Sequence, residues 1–210
     1  MSKVIVFGAN GLSGSQVVKE ALALGHRVTA FVRRPDVQFE HELLTIKTGN
    51  PLDAVDVEHA VAGQDVIVAC VGNMNFDDPT PVLSQFVAAA LPSVGDRRFI
   101  VQHGSGLMLH DRLTLRRDLP NQPPQLRYPR EDHYGAFLKY ALLDLDWLAV
   151  CPPWIVPGDG SDRYRAADLY FPKDAPSPAK VIAGNLGRFI ANEITNRAYV
   201  RTRVTVIDQG

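Results

Sequence analysis

The chain holds 210 residues with a formal charge of −1, 46% hydrophobic and 21% charged. That length fits one domain with a substantial core, and a near-neutral balance without an acidic or basic tail argues against nucleic acid or another polyanion as partner. No apolar run reaches the ~18 residues of a membrane span, and Met1-Ser2-Lys3 leads into a short strand-like run rather than a secretory leader.

Taken in chain order, short apolar runs alternate with amphipathic stretches. Strand Lys3–Phe7 runs into Gly8, and helix Leu12–Leu24 follows, closed by Gly25. Strand Arg27–Val32 ends in Arg33 and Arg34; strand Leu43–Lys47 and helix Ala54–Ala62, closed by Gly63, come next. Strand Asp65–Val71 precedes helix Pro81–Leu91, whose proline suits a first helical turn. Strand Arg98–Gln102, a basic proline-bearing connection Arg112–Arg127, helix Glu131–Leu143 and strand Trp147–Cys151 complete the pattern. Several strands are near-continuous Val, Ile and Ala, as in strands buried on both faces of a parallel sheet. The expectation is an α/β Rossmann-type doubly wound parallel sheet forming one domain over 1–210, with ligands at the carboxyl ends of its strands.

After Cys151 the periodicity fades. Residues 152–184 are rich in proline and carry Trp154, Tyr164, Tyr170 and Phe171. Aromatics in so long an excursion suggest a small substrate-side lobe, a packed lid or pocket wall with one hairpin. Helix Asn185–Ile194 and strand Tyr199–Ile207 close the chain. Cys70 and Cys151 lie in apolar runs and read as buried free thiols in a cytoplasmic protein. Two cysteines, and six histidines without a close pair, predict no metal site.

The glycines at Gly8, Gly11 and Gly14 stand where a dinucleotide fingerprint belongs, between a strand and the helix it opens. Gly8 would make the turn, Gly11 would admit a phosphate to the backbone, and Gly14 would let helix and strand pack closely. Arg33 and Arg34 lie where NAD-preferring sites usually place a carboxylate. Two planar cations there suit a 2′-phosphate, so NADP is the expected cofactor.

Taken together, these segments resemble the atypical short-chain dehydrogenase/reductase superfamily, and more closely its NAD(P)H-binding proteins related to biliverdin reductase B, which are flavin reductases. "VFGANGLSG" is similar to that group's glycine loop, "FVRRP" to its arginine-bearing second strand, and "TGNPLD" to its G-D-x-x-D stretch. "VIVACVGN", "HGSGLML", "EDHYGAFLKYALLDLDWLAVCPPWI" and "PSPAKVIAGNLGRFIANEI" resemble its later segments. The resemblance implies cofactor contacts at Gly8, Asn10, Gly11, Leu12, Ser13 and Gly14 in the first loop. At the adenosine end it implies Arg33, Arg34, Asn50 and Leu52. At the nicotinamide end it implies Gly72, Asn73 and Ser105, then Pro152, Pro153, Trp154 and Ile155. Two positions depart from the group: Asn50 replaces its aspartate, and Trp154 follows the double proline where biliverdin reductase B has a histidine.

Ordinary short-chain dehydrogenases use Tyr-x-x-x-Lys, in which the lysine lowers the tyrosine's pKa. Here Tyr134 and Lys139 are five apart and Asp144 lies four after Tyr140, so the motif is absent. Hydride transfer to an electron-poor planar acceptor needs no such donor, because its proton can come from solvent. Ser105, His133 and Tyr134 are the candidate catalytic groups; His133 and Tyr134 read either as pocket donors or as a solvated histidine and a core-edge tyrosine. His103 reads as a hydrogen-bonded structural histidine or a proton relay, Trp154 as a stacking platform or a core plug. His59 and His110 read as surface residues. The Arg112–Arg127 connection is either a solvated loop or a cationic pocket mouth for an anionic substrate such as a flavin phosphate.

The expected activity is NADPH-dependent hydride transfer to a flavin-like or quinone-like small planar acceptor, FMN among them, by a monomer or homodimer with no nucleic-acid or membrane partner. The alternative is a catalytically silent redox sensor on the same fold. A sugar-nucleotide epimerase or dehydratase would keep the catalytic tyrosine and a larger C-terminal domain, and neither is evident.

Overall fold

The computed structural model describes residues 1–35, 40–73, 75–120 and 122–209. Asp36, just after the arginine pair, and Asn121, in the basic connection, lie outside the described residues. The elements in order are β1 (Lys3–Phe7), α1 (Leu12–Ala23), β2 (Arg27–Val32), β3 (Leu44–Thr48), α2 (Ala54–Val61), β4 (Val66–Ala69) and α3 (Val82–Ala90). They continue with β5 (Arg98–Gln102), α4 (Arg127–Tyr140), β6 (Trp147–Val150), β7 (Trp154–Val156), β8 (Tyr164–Asp168), β9 (Lys180–Ile182), α5 (Ala183–Asn196) and β10 (Thr202–Asp208).

The main sheet runs β3-β2-β1-β4-β5-β6-β10-β8. All its pairings are parallel except that of β8 with β10. The chain leaves β1 toward β2 and β3, then crosses back to β4 on the other side. The reversal puts a topological switch point between β1 and β4, the place where such sheets bind ligands.

Strand periodicity builds the two cores. Ile5 and Phe7 face one layer, where Phe31, Phe86, Phe99, Tyr140 and Trp147 pack under α2, α3 and α4. Val4 and Val6 face the other, a valine- and isoleucine-rich layer beneath α1 and α5. Here α5 lies so close to α1 that a methyl on Gly187 would come within 2.7 Å of the Gln16 backbone.

Several expected boundaries move, for physical reasons. β4 stops at Ala69, so Cys70 and Val71 already belong to the loop. Cys70 is half-buried rather than buried, and desolvation pushes its thiol up to about 12; Cys151 is buried, and both are free. α4 starts at Arg127, a turn before the expected Glu131, and ends at Tyr140 rather than Leu143. Pro129 falls in its first turn, where a missing amide costs nothing. Pro81 precedes α3 as its N-cap instead of occupying the first turn. The cap of α3 comes from across the structure: the buried Asp132 carboxylate accepts from Leu83 N (2.9 Å) and Ser84 N (2.7 Å).

The excursion contains no hairpin among the described residues. β7 pairs in parallel with β9, and β8 pairs antiparallel with β10, covering that sheet edge. The segment is tied down by side chains. Asn185 accepts from Ser161 N (2.7 Å) and donates to Asp208 (2.7 Å). Lys19 of α1 pairs with Asp159 at 2.8 Å, and a Cβ on Gly184 would lie 2.1 Å from Gly160 N. The lobe is therefore fastened to α1, the helix that opens at the glycine loop.

Candidate dinucleotide site

The glycine loop is built by close approach. Gly8 has φ +77°, and a Cβ there would fall 2.3 Å from the Cys70 carbonyl oxygen just after β4. A Cβ on Gly14 would fall 2.1 Å from the Gly8 oxygen. Gly11 differs: its φ of −76° suits any residue. A Cβ there would meet only the Gly8 oxygen, at 3.2 Å. Gly11 is the N-cap of α1, with no side-chain cap and no acidic residue in the first turn. Asn10, Gly11 and Leu12 are exposed at the mouth, whereas Ser13 and Gly14 are buried beneath it. The start of α1 thus presents backbone amides and the positive end of a helix dipole, the arrangement that takes a pyrophosphate. α2 offers the contrast: Asp53 caps it by accepting from Val55 N and Asp56 N.

At the expected adenosine end, Arg33 and Arg34 are exposed immediately after β2. Asn50 is exposed too, but its side-chain oxygen accepts from Leu52 N (3.0 Å), and its own amide donates to Asp56 (2.8 Å). Asn50 therefore shapes the β3–α2 turn, and Leu52 packs against the aromatic layer.

At the other end, the loops after β4, β5 and β6 meet. Gly72 is exposed, and Asn73 is half-buried with its oxygen accepting from Asn75 N (2.9 Å). Ser105 N donates to the Pro152 carbonyl at 2.8 Å, joining the β5 loop to the double proline. Pro152 is buried, Pro153 half-buried, and Ile155 packs against the valine layer. Trp154 is 57% exposed, so the core-plug reading fails. Its indole meets Phe76 edge-to-face, with centroids 6.4 Å apart.

His103 is a buried structural histidine, its Nε2 2.6 Å from the Tyr140 hydroxyl. Burial, then repulsion from His133, holds it well below the usual imidazole range. His133 stands against the β5 loop: a methyl on Gly104 would sit 3.9 Å from its Nδ1, which has no hydrogen-bond partner among the described residues. Burial pushes its pKa down to about 4, so at neutral pH it is an uncharged imidazole. The ring of Tyr134 is covered by the Arg117 guanidinium at 4.2 Å. His59 and His110 are exposed.

Sequence reasoning missed Phe76, which carries no periodic signal, and did not resolve the basic connection into separate arginines. A Cβ on Gly106 would lie 3.4 Å from Arg117 Cβ and 3.8 Å from Arg130 Cγ. Arg116 stacks over Phe171 at 3.5 Å. Arg116 Nε and Arg130 Nη1 are buried without a partner among the described residues. Among the described residues, no cluster of His, Cys, Asp or Glu could hold a metal ion, and no helix is long and apolar enough to cross a membrane. Two concavities of about 410 and 500 Å³ open at the opposite ends of the strands, around Lys3, Arg27 and Gln64 and around Asp65, Arg97 and Arg98. They lie away from the switch point and from the amide cradle.

A switch point and an open amide cradle at the start of the first helix define a dinucleotide-binding Rossmann protein. The NAD(P)H-binding family model matches residues 8–201, and the chain belongs to that family. Among solved structures, a proposed NADH-flavin reductase of Streptococcus pneumoniae is similar over 100% of both chains, with TM-score 0.86 and 22% identity. A proposed exported protein of Burkholderia pseudomallei is 26% identical with TM-score 0.83, over 99% of this chain and 100% of its own. A short-chain dehydrogenase/reductase of Veillonella parvula in complex with NADP is 17% identical with TM-score 0.74, over 100% and 95%. A 3-beta-hydroxysteroid dehydrogenase of Mycolicibacterium neoaurum is 37% identical over 67 residues; the match spans 32% of this chain and 18% of that protein.

Proposed function

We propose that the protein is an NADPH-dependent reductase of a small planar acceptor, flavin-like or quinone-like. The observation that carries the reading is the uncapped start of α1 beside the β1–β4 switch point, with Arg33 and Arg34 exposed at the far end. The bound cofactor supplies a hydride, two electrons and one proton, and solvent supplies the second proton that completes a reduced flavin or hydroquinone.

The chain's own residues bind and orient. Amides at the start of α1 hold the diphosphate, and Arg33, with Arg34, holds the 2′-phosphate. Gly72, Asn73, Ser105 and the backbone of the Pro152–Ile155 segment border the nicotinamide end. The Ser105 N–Pro152 O bond fixes the Ser105 backbone relative to the double proline. His133 stays neutral beside the Ser105 loop, suited to donating or accepting a hydrogen bond rather than acting as an imidazolium acid. The structure of the Veillonella parvula enzyme with NADP supports the same cofactor class on this fold.

The test is a calorimetric titration with NADPH and NADH, followed by an acceptor screen. NADPH should bind tighter than NADH, and Arg33→Ala should remove about tenfold or more of that preference, the worth of one charge-assisted phosphate contact. No binding of either coenzyme would refute the proposal. Ser105→Ala should lower turnover more than cofactor affinity. A second reading, a dinucleotide-dependent redox sensor, draws on the missing Tyr-x-x-x-Lys and the neutral His133; tight NADPH binding without turnover of any acceptor would favour it.

A further inference from the structure

Trp154 is held in an unusual way. Its backbone is rigid: it opens β7, pairs with Lys180 of β9, and is followed by Ile155, which anchors in the valine layer. Trp154 is nonetheless 57% exposed, a large aromatic residue left open beside the Ser105 loop. The ring it meets, Phe76, comes from the loop after β4. β4 and β6 flank β5 in the sheet, so their ends are two strand spacings, about 10 Å, apart. The two loops therefore arch toward each other over the end of β5, and the aromatic pair is where they touch.

The rings are nearly perpendicular, at 79°. That makes a right-angled corner between the indole and the phenyl ring. A flat conjugated ring can lie on the indole face and set its edge against the phenyl, satisfying both quadrupoles. A compact, non-planar acceptor can do neither.

We infer that Phe76 and Trp154 form the acceptor subsite and select extended planar conjugated acceptors over compact ones. This rests on the reductase reading and adds to it: Trp154 recognises the acceptor rather than the cofactor, and Phe76 is its partner.

The test uses the intact protein loaded with NADP⁺, which binds but cannot react, titrated with FMN by calorimetry and by tryptophan emission. The other tryptophan, Trp147, is 4% exposed in the core, so quenching on contact reports Trp154. Trp154→Ala should weaken FMN binding about tenfold, the typical worth of one stacked ring. Trp154→Phe should recover most of the loss, and Phe76→Ala should show a smaller loss of the same kind. In turnover, Trp154→Ala should raise the KM for FMN more than the KM for benzoquinone, which has a single ring to stack. NADP⁺ affinity should not change in any variant. Unchanged FMN affinity in Trp154→Ala with normal NADP⁺ binding would overturn the assignment alone. NADP⁺ affinity falling in step with FMN affinity would overturn it too, returning the indole to the cofactor. No NADP⁺ binding by the wild type would overturn the reductase reading and this inference together.

Discussion

Substituting the glycines of the first loop one at a time should separate their two roles. In Gly14→Ala the new methyl falls 2.1 Å from the Gly8 carbonyl oxygen and 3.2 Å from the Ala9 Cα. Both are backbone atoms, so relief requires α1 to move away from β1, and overpacking of this kind costs about 1–3 kcal/mol. For a chain of this size the midpoint of thermal unfolding should fall by about 2–4 °C per kcal/mol, hence about 4–8 °C for a central value. Gly11→Ala is the opposite case. Its methyl meets only the Gly8 oxygen, at 3.2 Å, and its backbone angles already suit alanine. Exchanging glycine for alanine at an N-cap costs about 1 kcal/mol or less. The same methyl stands over the exposed amides, and losing one charge-assisted bond to the diphosphate, about 1.5–3 kcal/mol, weakens NADPH binding about tenfold to a hundredfold. Differential scanning calorimetry and NADPH titration measure the two effects separately. A Gly11→Ala protein that stays folded and binds NADPH like the wild type would refute the cradle. A Gly14→Ala protein of unchanged stability would refute the packing argument.

Three further outcomes are expected. His133 carries a folded-state pKa of about 4 against about 6.5 in the unfolded chain, so acid protonates the unfolded form first. Its contribution therefore erodes stability as pH falls from about 6.5 toward 4; the buried Asp132 carboxyl, raised by desolvation, acts in the opposite sense. Melting curves of wild type and His133→Asn should diverge across that window and run parallel above pH 7; parallel curves throughout would sink the assignment. Arg98 is 2% exposed and bonds Asp146 (2.7 Å), Glu193 (3.0 Å) and the Tyr199 carbonyl (2.9 Å). Arg98→Met leaves the buried Glu193 carboxylate without its cation, whereas Asp146 keeps Arg197, and should cost about 3 kcal/mol in urea unfolding; a loss below about 1 kcal/mol would show the network to be solvated. Arg116→Met should raise the KM for FMN and leave that for riboflavin unchanged, since only FMN carries the phosphate; equal effects would remove the arginines from acceptor recognition.

Much of the fold was legible because it depends on local patterning. β1, β2 and β5 match the apolar runs residue for residue, since a strand buried on both faces ends where its apolar run ends. α4 was not legible at its start, because Pro129 reads as a breaker in isolation and is harmless only once the helix is known to begin before it. The supposed hairpin failed for another reason: β8 finds its partner in β10 and β7 in β9, pairings set by tertiary packing. In the candidate site, the glycine loop is legible because its spacing alone sets the close approaches at Gly8 and Gly14, and the arginine pair is legible as two exposed cations after β2. Phe76 is not, because it acquires a role only when its loop meets Trp154 from two strands away. His133 was visible as a residue, but the burial that makes it a neutral imidazole was not.

The carboxylates of this chain also bear on where an anion binds. In a doubly wound sheet, each helix that follows a strand starts at the carboxyl edge, so several positive dipole ends gather there. In α2 that end is answered by Asp53, and in α3 by Asp132, which reaches across from α4. Each supplies a negative charge and takes up two backbone amides, leaving little for an external anion. α1 starts at a glycine with neither cap nor acid, and the nearest formal charges after β2 are Arg33 and Arg34. Helices α4 and α5 also start without a side-chain cap or an acidic residue in the first turn, but of the three helices that flank the β1–β4 switch point, only α1 leaves its positive end uncompensated. Moving a carboxylate there, as in Gly11→Asp, would cap α1 as Asp53 caps α2, leaving the helix folded while expelling the dinucleotide. Retained NADPH affinity in that variant would show that the electrostatics of this helix do not select the ligand.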